Sequence, residues 1–161
     1  MKYNQAPNLE IQEWLNTNKE ISLDSLKGKV VIIHAFQMLC PGCVQHSIPQ
    51  VKRLYEKFKN EDVVVIGLHT VFEHKEVMTA EALKVFIHEY KILFPVGIDL
   101  PLVDDFRPAT MKKYDMQGTP TLIIIDHEGK LRRKAFGFVE DLDVGLLIGK
   151  LLENKRIQNE K

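Results

Sequence analysis

Two cysteines, Cys40 and Cys43, lie in a segment that also carries imidazoles. Residues 30–50 read VVIIHAFQMLCPGCVQHSIPQ, with His34 before the cysteines and His46 after them. A Cys-x-x-Cys pair in an intracellular protein is more often redox-catalytic or metal-binding than structural, because the cytosol keeps ordinary thiols reduced. The pair therefore predicts thiol-disulfide chemistry, with metal binding as the alternative.

A buried strand and an amphipathic helix are predicted on the two sides of the cysteines. Residues 29–36 are β-branched and nearly all apolar, as expected for a central strand covered on both faces. Apolar residues then recur at steps of three and four over residues 43–59, the pattern of an amphipathic helix. Cys40 is thus expected near a helix N-terminus, where free N–H groups and the helix dipole favour a thiolate.

This placement predicts different roles for the two thiols. Pro41 fits the first turn of a helix, and Gly42 removes side-chain bulk between the sulfurs. We expect Cys40 to attack a disulfide and Cys43, partly buried, to resolve the mixed disulfide. His34, six residues before Cys40, is the candidate acceptor of the Cys43 proton, and its alternative role is that of a core histidine with a backbone hydrogen bond.

A metal site is the second interpretation of the same segment. The run Cys-x-x-Cys-x-x-His that ends at His46 supplies ligands suited to zinc or copper. Three ligands do not close a structural site, and a fourth would have to come from His34, His69 or His74. The simpler expectation for His46 is a surface position on the helix.

The rest of the chain alternates strand and helix patterns. Further strands are predicted at 63–68, 94–99, 121–126 and 131–138, with 127–130 as a hairpin turn. Further helices are predicted from two sets of apolar residues, Leu83, Phe86, Ile87 and Tyr90, with Thr79 as the cap, and Val144, Leu147, Ile148, Leu151 and Leu152. This order predicts an α/β fold with a central mixed sheet flanked by helices.

The N-terminal 27 residues are less clear. LEIQEWLN fits either a strand or a helix, and SLDSLKGK predicts a turn of helix that ends at Gly28. We expect one domain over residues 1–161, with a core at about 27–153 and a polar tail at 154–161.

Charge and hydropathy exclude several classes of partner. Lys+Arg and Asp+Glu number 22 each, so the formal net charge is zero and no basic face for nucleic acid is expected. The apolar runs are far shorter than a membrane span. The first residues lack a signal-peptide pattern, which predicts a cytoplasmic protein, or a periplasmic one if an export signal precedes the given sequence.

Several motifs occur in an order that resembles the thioredoxin superfamily. They are GKVVIIHAF before the cysteines, FPVGID, MKKYDMQGTPT, and GTPTLIIIDHEGKLRRKAFG. Within the superfamily, the chain is similar to TlpA-like and ResA-like thiol-disulfide oxidoreductases, which are redoxin proteins related to AhpC/TSA. The resemblance covers roughly residues 20–153. It implies a thioredoxin-like fold with an N-terminal extension and a βα insert at 69–101.

The resemblance also implies a substrate site. It implies a cis peptide bond between Thr119 and Pro120, beside the cysteines in space. The backbone of Thr119 is then expected to pair with an extended substrate segment, in the manner of an added strand. Leu39, Pro41 and Gly42 complete the expected substrate-binding set.

The chain departs from the superfamily pattern near the cysteines. Leu39 stands where the family usually has tryptophan, and Pro41-Gly42 replaces the Gly-Pro pair of thioredoxins. His34 stands where thioredoxins carry a buried aspartate. Pro49 follows Cys43 by six residues, one more than is common, which predicts a different kink in the helix.

The expected function is the reduction of protein or small-molecule disulfides by the Cys40–Cys43 pair. An upstream thiol reductant is expected to recycle the pair, with no cofactor other than its own redox-active disulfide and no bound metal. We expect a monomer or a weak dimer. His69 follows a predicted strand at the start of the insert, where it either faces the active site or is an ordinary loop residue.

Two alternatives remain open. One is a peroxidase of the peroxiredoxin type, although Ile33 and Gln37 stand where peroxiredoxins have the proline and threonine that help bind peroxide. The other is a thioredoxin-like binding or metal-handling module that uses the cysteine pair as ligands.

Overall fold

The structure is a computed structural model that describes residues 4–160. The strands are β1 (Ile11–Leu15), β2 (Val30–Phe36), β3 (Val63–His69), β4 (Val96–Asp99), β5 (Thr121–Ile125) and β6 (Leu131–Phe136). The helices are α1 (Ile48–Phe58), α2 (Ala80–Glu89), α3 (Ala109–Lys113) and α4 (Asp141–Asn159). The strands form one sheet in the order β1-β4-β3-β2-β5-β6.

The sheet is mixed, as the sequence predicts. β2 pairs with β3 and β3 with β4 in parallel, whereas β5 lies antiparallel to β2 and forms a hairpin with β6. The ambiguous segment LEIQEWLN is a strand, because β1 pairs antiparallel with β4 at the edge of the sheet. SLDSLKGK contains the predicted helical turn, a 3-10 turn at Asp24–Leu26, and Gly28 follows it with a φ of 90°.

Strand β2 lies at the centre and is buried along its whole length. Alternate side chains point to opposite faces of a strand, so β2 contributes to two apolar cores. Val31, Ile33 and Ala35 pack toward Met111 of α3, whereas Val30, Ile32 and Phe36 pack with residues of α1, α2 and α4. His34 falls on the second face, which directs its side chain toward the helix that follows the cysteines.

The helix after the cysteines starts earlier than the predicted range 43–59. Pro41 and Gly42 are already helical, and a π-helical turn at Cys43–Ser47 leads into α1. In this turn the N–H of Ile48 donates to the carbonyl of Cys43, five residues back. Pro49 has no N–H and its ring crowds the carbonyl four residues before it, so a widened turn lets the helix pass the proline.

Several element boundaries differ from the sequence prediction. β4 begins at Val96 rather than at residue 94, and the carbonyl of Pro95 accepts the N–H of Gly67 at 2.9 Å. The short helix α3 was not predicted. The polar segment predicted as a tail at 154–161 continues α4 as far as Asn159, where Arg156 lies 3.6 Å from Glu61. Residue 161 lies outside the described residues.

The insert at 69–101 forms the end of β3, a loop, α2 and β4. Thr79 caps α2 as predicted, since its side chain accepts the N–H of Ala82 at 3.2 Å. Leu83 and Ile87 of α2 are buried against the sheet. Among the helices of residues 4–160, none is both long and apolar enough to cross a membrane.

Candidate active site

The two cysteines lie at the end of β2, at the start of the helix, and are both free thiols. Cys40 is half-buried, whereas Cys43 is 0% exposed. The N–H of Cys43 donates to Sγ of Cys40 at 3.2 Å, and the N–H of Val44 donates to the carbonyl of Cys40 at 3.1 Å. The sulfur that a second molecule can reach is therefore that of Cys40, and it receives a backbone donor from the helix start.

The buried thiol of Cys43 resists deprotonation. Burial is the main cause that raises the pKa of Cys43 to about 12, and a hydrogen bond with Cys40 is the second. The backbone N–H of Gln37 and the hydroxyl of Thr119 act in the opposite direction on this pKa, but burial outweighs them. Cys43 is thus a protonated thiol at neutral pH and needs a proton acceptor before it can react.

The loop before β5 lies directly against Cys40. The peptide bond between Thr119 and Pro120 is cis, as the resemblance implies. The thiol of Cys40 donates to the carbonyl oxygen of Thr119 at 3.5 Å. A Cβ added to Gly42 would lie 3.5 Å from Cδ of Pro120, so the small residue between the cysteines faces this proline.

An open groove of about 470 Å³ begins at Cys40. Its lining is mostly apolar and includes one carboxylate and one imidazole, without lysine or arginine among the described residues. Leu39 is 60% exposed at its rim. The lining consists of Leu39, Cys40, Pro41, Phe72, Glu73, His74, Met78, Gln117, Gly118, Thr119 and Phe136. A segment bound here lies next to Sγ of Cys40.

His34 is buried beneath the helix start, at 1% exposure. Its Nε2 lies 2.7 Å from Oγ of Ser47, and that hydroxyl donates to the carbonyl of Cys43 at 3.3 Å. Nδ1 of His34 has no hydrogen-bond partner among the described residues. Burial lowers the pKa of His34 to about 3, so the imidazole is neutral at neutral pH. His34 therefore contacts the backbone of the Cys43 turn through Ser47.

Of the two placements considered for His69, the structure shows the one that faces the active-site loop. Its Nε2 accepts the N–H of Met38 at 3.4 Å. Burial lowers the pKa of His69 to about 4, which keeps the ring nitrogen free to accept. His69 thus holds the loop that leads to Cys40 rather than contacting a sulfur.

Two residues near the cysteines were not predicted as site residues. Ser47 joins His34 to the Cys43 turn, and Gln37 is a buried amide, at 3% exposure, between Cys40 and the insert. A serine or glutamine close to a redox pair gives no spacing signal, because its partners come from distant segments. The sign available for Gln37 was its place as a polar residue directly after a buried apolar strand.

The alternative of a metal site requires a group of ligands placed close together. Over residues 4–160, no group of three or more His, Cys, Asp or Glu side chains is placed to hold a metal ion. His46 is exposed, as expected for a surface position, and packs edge-on against Phe138 with ring centroids 6.2 Å apart.

Comparison with known proteins decides the family. The AhpC/TSA family pattern matches residues 3–134. The chain belongs to the AhpC/TSA family. Thiol-disulfide oxidoreductase ResA of Bacillus cereus is 30% identical over 133 residues, which cover 83% of this chain and 68% of that protein. This AhpC/TSA protein is accordingly a TlpA/ResA-like member of the thioredoxin superfamily, and the predicted thioredoxin-like fold is confirmed.

Two further relatives show the similarity to a thiol-disulfide isomerase and the partial coverage of a longer protein. The crystal structure of a thiol-disulfide isomerase from Corynebacterium glutamicum is 50% identical, with a TM-score of 0.87, covering 91% of this AhpC/TSA protein and 96% of that chain. Protein DipZ of Mycobacterium bovis is 36% identical over 135 residues, 82% of this chain but 18% of DipZ. The chain thus spans under a fifth of the length of DipZ. The predicted enzyme class agrees with the names of the ResA and isomerase relatives.

Proposed function

We propose that this protein is a thiol-disulfide oxidoreductase that reduces disulfides in protein segments through Cys40 and Cys43. The observation that carries the proposal is the contrast between the two sulfurs. Cys40 is accessible at the groove and accepts the N–H of Cys43 at 3.2 Å, whereas Cys43 is fully buried directly behind it. One thiol can meet a substrate, and the other can meet only Cys40.

The reaction follows from this order. The Cys40 thiolate attacks one sulfur of the substrate disulfide, the substrate S–S bond breaks, and the leaving thiolate takes up a proton. Cys43 then loses its proton and attacks Cys40, which releases the second substrate thiol and leaves a Cys40–Cys43 disulfide. Two electrons pass to the substrate. An upstream thiol reductant returns them to the pair, and no other cofactor is proposed.

The groove supports a peptide substrate. The carbonyl of Thr119 lies at Cys40, at the position where an extended segment can hydrogen-bond to the chain. Apolar side chains around it, with Glu73 as the carboxylate in the lining, favour apolar residues next to the substrate cysteine. They disfavour strongly anionic small disulfides. Leu39, Pro41 and Gly42 are the proposed contacts beside the sulfur.

For His34 we propose a positioning role in place of direct proton acceptance. Burial raises the pKa of the Cys43 thiol to about 12 and lowers the pKa of the His34 imidazole to about 3, so both shifts oppose transfer of the proton from Cys43 to His34. The contact of His34 is to Ser47, whose hydroxyl bonds the Cys43 carbonyl. His34 is then a neutral support for the turn that carries the resolving thiol, and solvent or the leaving thiolate takes the proton.

A peroxidase is the competing function, and the family match is what favours it. Its expected proline and threonine are replaced by Ile33, which is fully buried, and by Gln37, whose amide is engaged with the insert loop. Peroxide consumption by the reduced protein at the rate of free cysteine would remove this alternative. Consumption orders of magnitude faster would replace the reductase proposal.

The reduction potential tests the proposed direction. The protein is equilibrated in glutathione buffers, and the thiols of Cys40 and Cys43 are counted by alkylation and mass. We expect a two-electron transition near about −270 mV, the range of a thioredoxin-type reductant that works in a reducing compartment such as the cytoplasm. A value of about −180 to −120 mV indicates an isomerase or an oxidant and contradicts the proposed direction.

A further inference from the structure

Gln37 connects three separate segments around the active site. Its Oε1 accepts the N–H groups of Phe72 at 3.1 Å and Glu73 at 3.3 Å, and its Nε2 donates to Oγ1 of Thr119 at 3.4 Å. Its own carbonyl accepts the N–H of Cys40 at 3.1 Å. One buried side chain therefore ties the insert loop and the cis-proline loop to the turn that ends at the nucleophile.

The segment that Gln37 holds is a wall of the groove. Residues 72–74 and Met78 line the groove together with Cys40 and Phe136. The N–H groups of Phe72 and Glu73 point into the protein and are satisfied by the Gln37 oxygen. Both hydrogen bonds are part-buried, and they hold the backbone of Phe72 and Glu73 to the Cys40 turn, so loss of the Gln37 amide leaves this wall free to move.

We propose that Gln37 is a positioning and specificity-determining residue: its amide fixes the 72–78 loop against the Cys40 turn, so that the groove is preformed for a peptide disulfide. The inference rests on the proposed oxidoreductase function and adds to it a residue that selects substrates by size. The Gln37 side chain makes no hydrogen bond to either sulfur, so its effect on substrate binding passes through the wall.

Substrates of two sizes respond differently to such a residue. A peptide disulfide with leucine on each side of the cysteine spans the groove and contacts the wall. The uncharged reagent bis(2-hydroxyethyl) disulfide is small enough to reach Cys40 without touching residues 72–78. Loss of a preformed wall therefore weakens binding of the peptide and leaves attack on the small disulfide intact.

The test compares Gln37→Leu with Gln50→Leu, using steady-state kinetics on both disulfides. Gln50 is also a buried glutamine whose amide makes two hydrogen bonds, to Val139 and Asp141, and it lies away from the groove. We expect Gln37→Leu to raise KM for the peptide about tenfold, the factor that about 1.4 kcal/mol of binding energy produces. Its kcat on the peptide and its kcat/KM on the small disulfide stay within about twofold of wild type. Gln50→Leu leaves both substrates unchanged.

Other results overturn the inference. Equal loss on both disulfides means that Gln37 acts on the cysteine chemistry or on folding, and no change on either means that the wall does not select substrates. If the wild-type protein reduces neither disulfide, the oxidoreductase proposal itself is wrong. If the wild type is active but Gln37→Leu affects both disulfides equally, only the role of Gln37 is wrong.

Amide hydrogen exchange tests, without any enzymatic turnover, whether Gln37 holds the loop at residues 72–78 in place. In the wild type, the amides of Phe72 and Glu73 donate to the Gln37 oxygen, which should slow their exchange. We expect their exchange to become about tenfold faster or more in Gln37→Leu and to stay unchanged in Gln50→Leu, because local opening governs exchange of such loop amides. Unchanged protection in Gln37→Leu contradicts the proposed anchor.

Discussion

Nε2 of His34 lies 2.7 Å from Oγ of Ser47, which links the central strand to the turn that carries Cys43. The carbonyl of Cys43 accepts both the Ser47 hydroxyl and the N–H of Ile48. The position of the Cys43 thiol thus depends on a polar contact inside an otherwise apolar layer.

Ser47→Ala is expected to destabilise the protein by about 1 to 3 kcal/mol. The change removes the partner of Nε2 in a buried imidazole, and a buried polar atom without a partner costs that much. Urea unfolding measures the effect as a lower midpoint with an unchanged slope. Ser25→Ala, at an exposed turn, is the matched control and should stay within about 0.5 kcal/mol of wild type. A similar midpoint for both variants would show that the contact contributes nothing to stability.

The two buried histidines make stability depend on pH. Burial places the folded-state pKa of His34 at about 3 and of His69 at about 4, below the unfolded value of 6.5. Their stabilisation is therefore complete above pH 6.5 and is lost as pH falls toward the folded values. Each histidine should cost about 2 kcal/mol of unfolding free energy between pH 7 and pH 5.

Comparison of variants at the two pH values isolates this effect from the carboxylates. His69→Gln should lose about 2 kcal/mol less than wild type between pH 7 and pH 5, even if it is less stable at both. His88→Gln, on the exposed side of α2, should lose as much as wild type. Identical losses in wild type and His69→Gln would mean that His69 does not contribute to the acid sensitivity.

The cysteine roles can be separated by serine variants. Cys40→Ser should abolish disulfide reduction, because the accessible nucleophile is gone. Cys43→Ser should accumulate a mixed disulfide on Cys40, visible as the mass of the protein plus one half of the substrate and removable by reductant. Adducts on both variants, or equal residual activity in both, would contradict the assignment of attack to Cys40.

The release step should depend steeply on pH. Because burial raises the pKa of Cys43 to about 12, its thiolate fraction rises about tenfold for each pH unit below that value. Single-turnover decay of the mixed disulfide should follow this slope from about pH 6 to pH 8. In a positioning role, His34→Asn lowers the rate without changing the slope. A flat profile that becomes steep in His34→Asn would instead make His34 the proton acceptor.

The sheet and the cysteine turn were predictable because their signals are local. Strand β2 is a run of apolar and β-branched residues, and the alternation of side chains also determined the direction of His34. Helix α3 was missed because its N-terminus is capped from a distance: the carboxylate of Asp99 accepts the N–H groups of Thr110 and Met111 at 2.8 and 3.0 Å. No residue inside the five-residue helix indicates this cap in the sequence.

The candidate site was less predictable than the sheet, because several of its contacts join segments that are distant in the sequence. The Cys-x-x-Cys pair is readable from the types and spacing of its residues, whereas the role of Thr119-Pro120 was implied only by the resemblance to the thioredoxin superfamily. Gln37 has partners 35, 36 and 82 residues away, so its role exists only after the chain has folded. Polar residues that join distant segments remain hidden in a single sequence.

The π-helical turn at Cys43–Ser47 has a consequence for aligning this chain with its relatives. A π turn holds one more residue than an α turn over nearly the same rise, so it accounts for the late position of Pro49. Counting from Cys43 along a relative with a regular helix shifts every later position of α1 by one residue, or about 100° around the helix axis. Residue equivalences in α1 should therefore be taken from superposed coordinates, with a one-residue gap inside the turn.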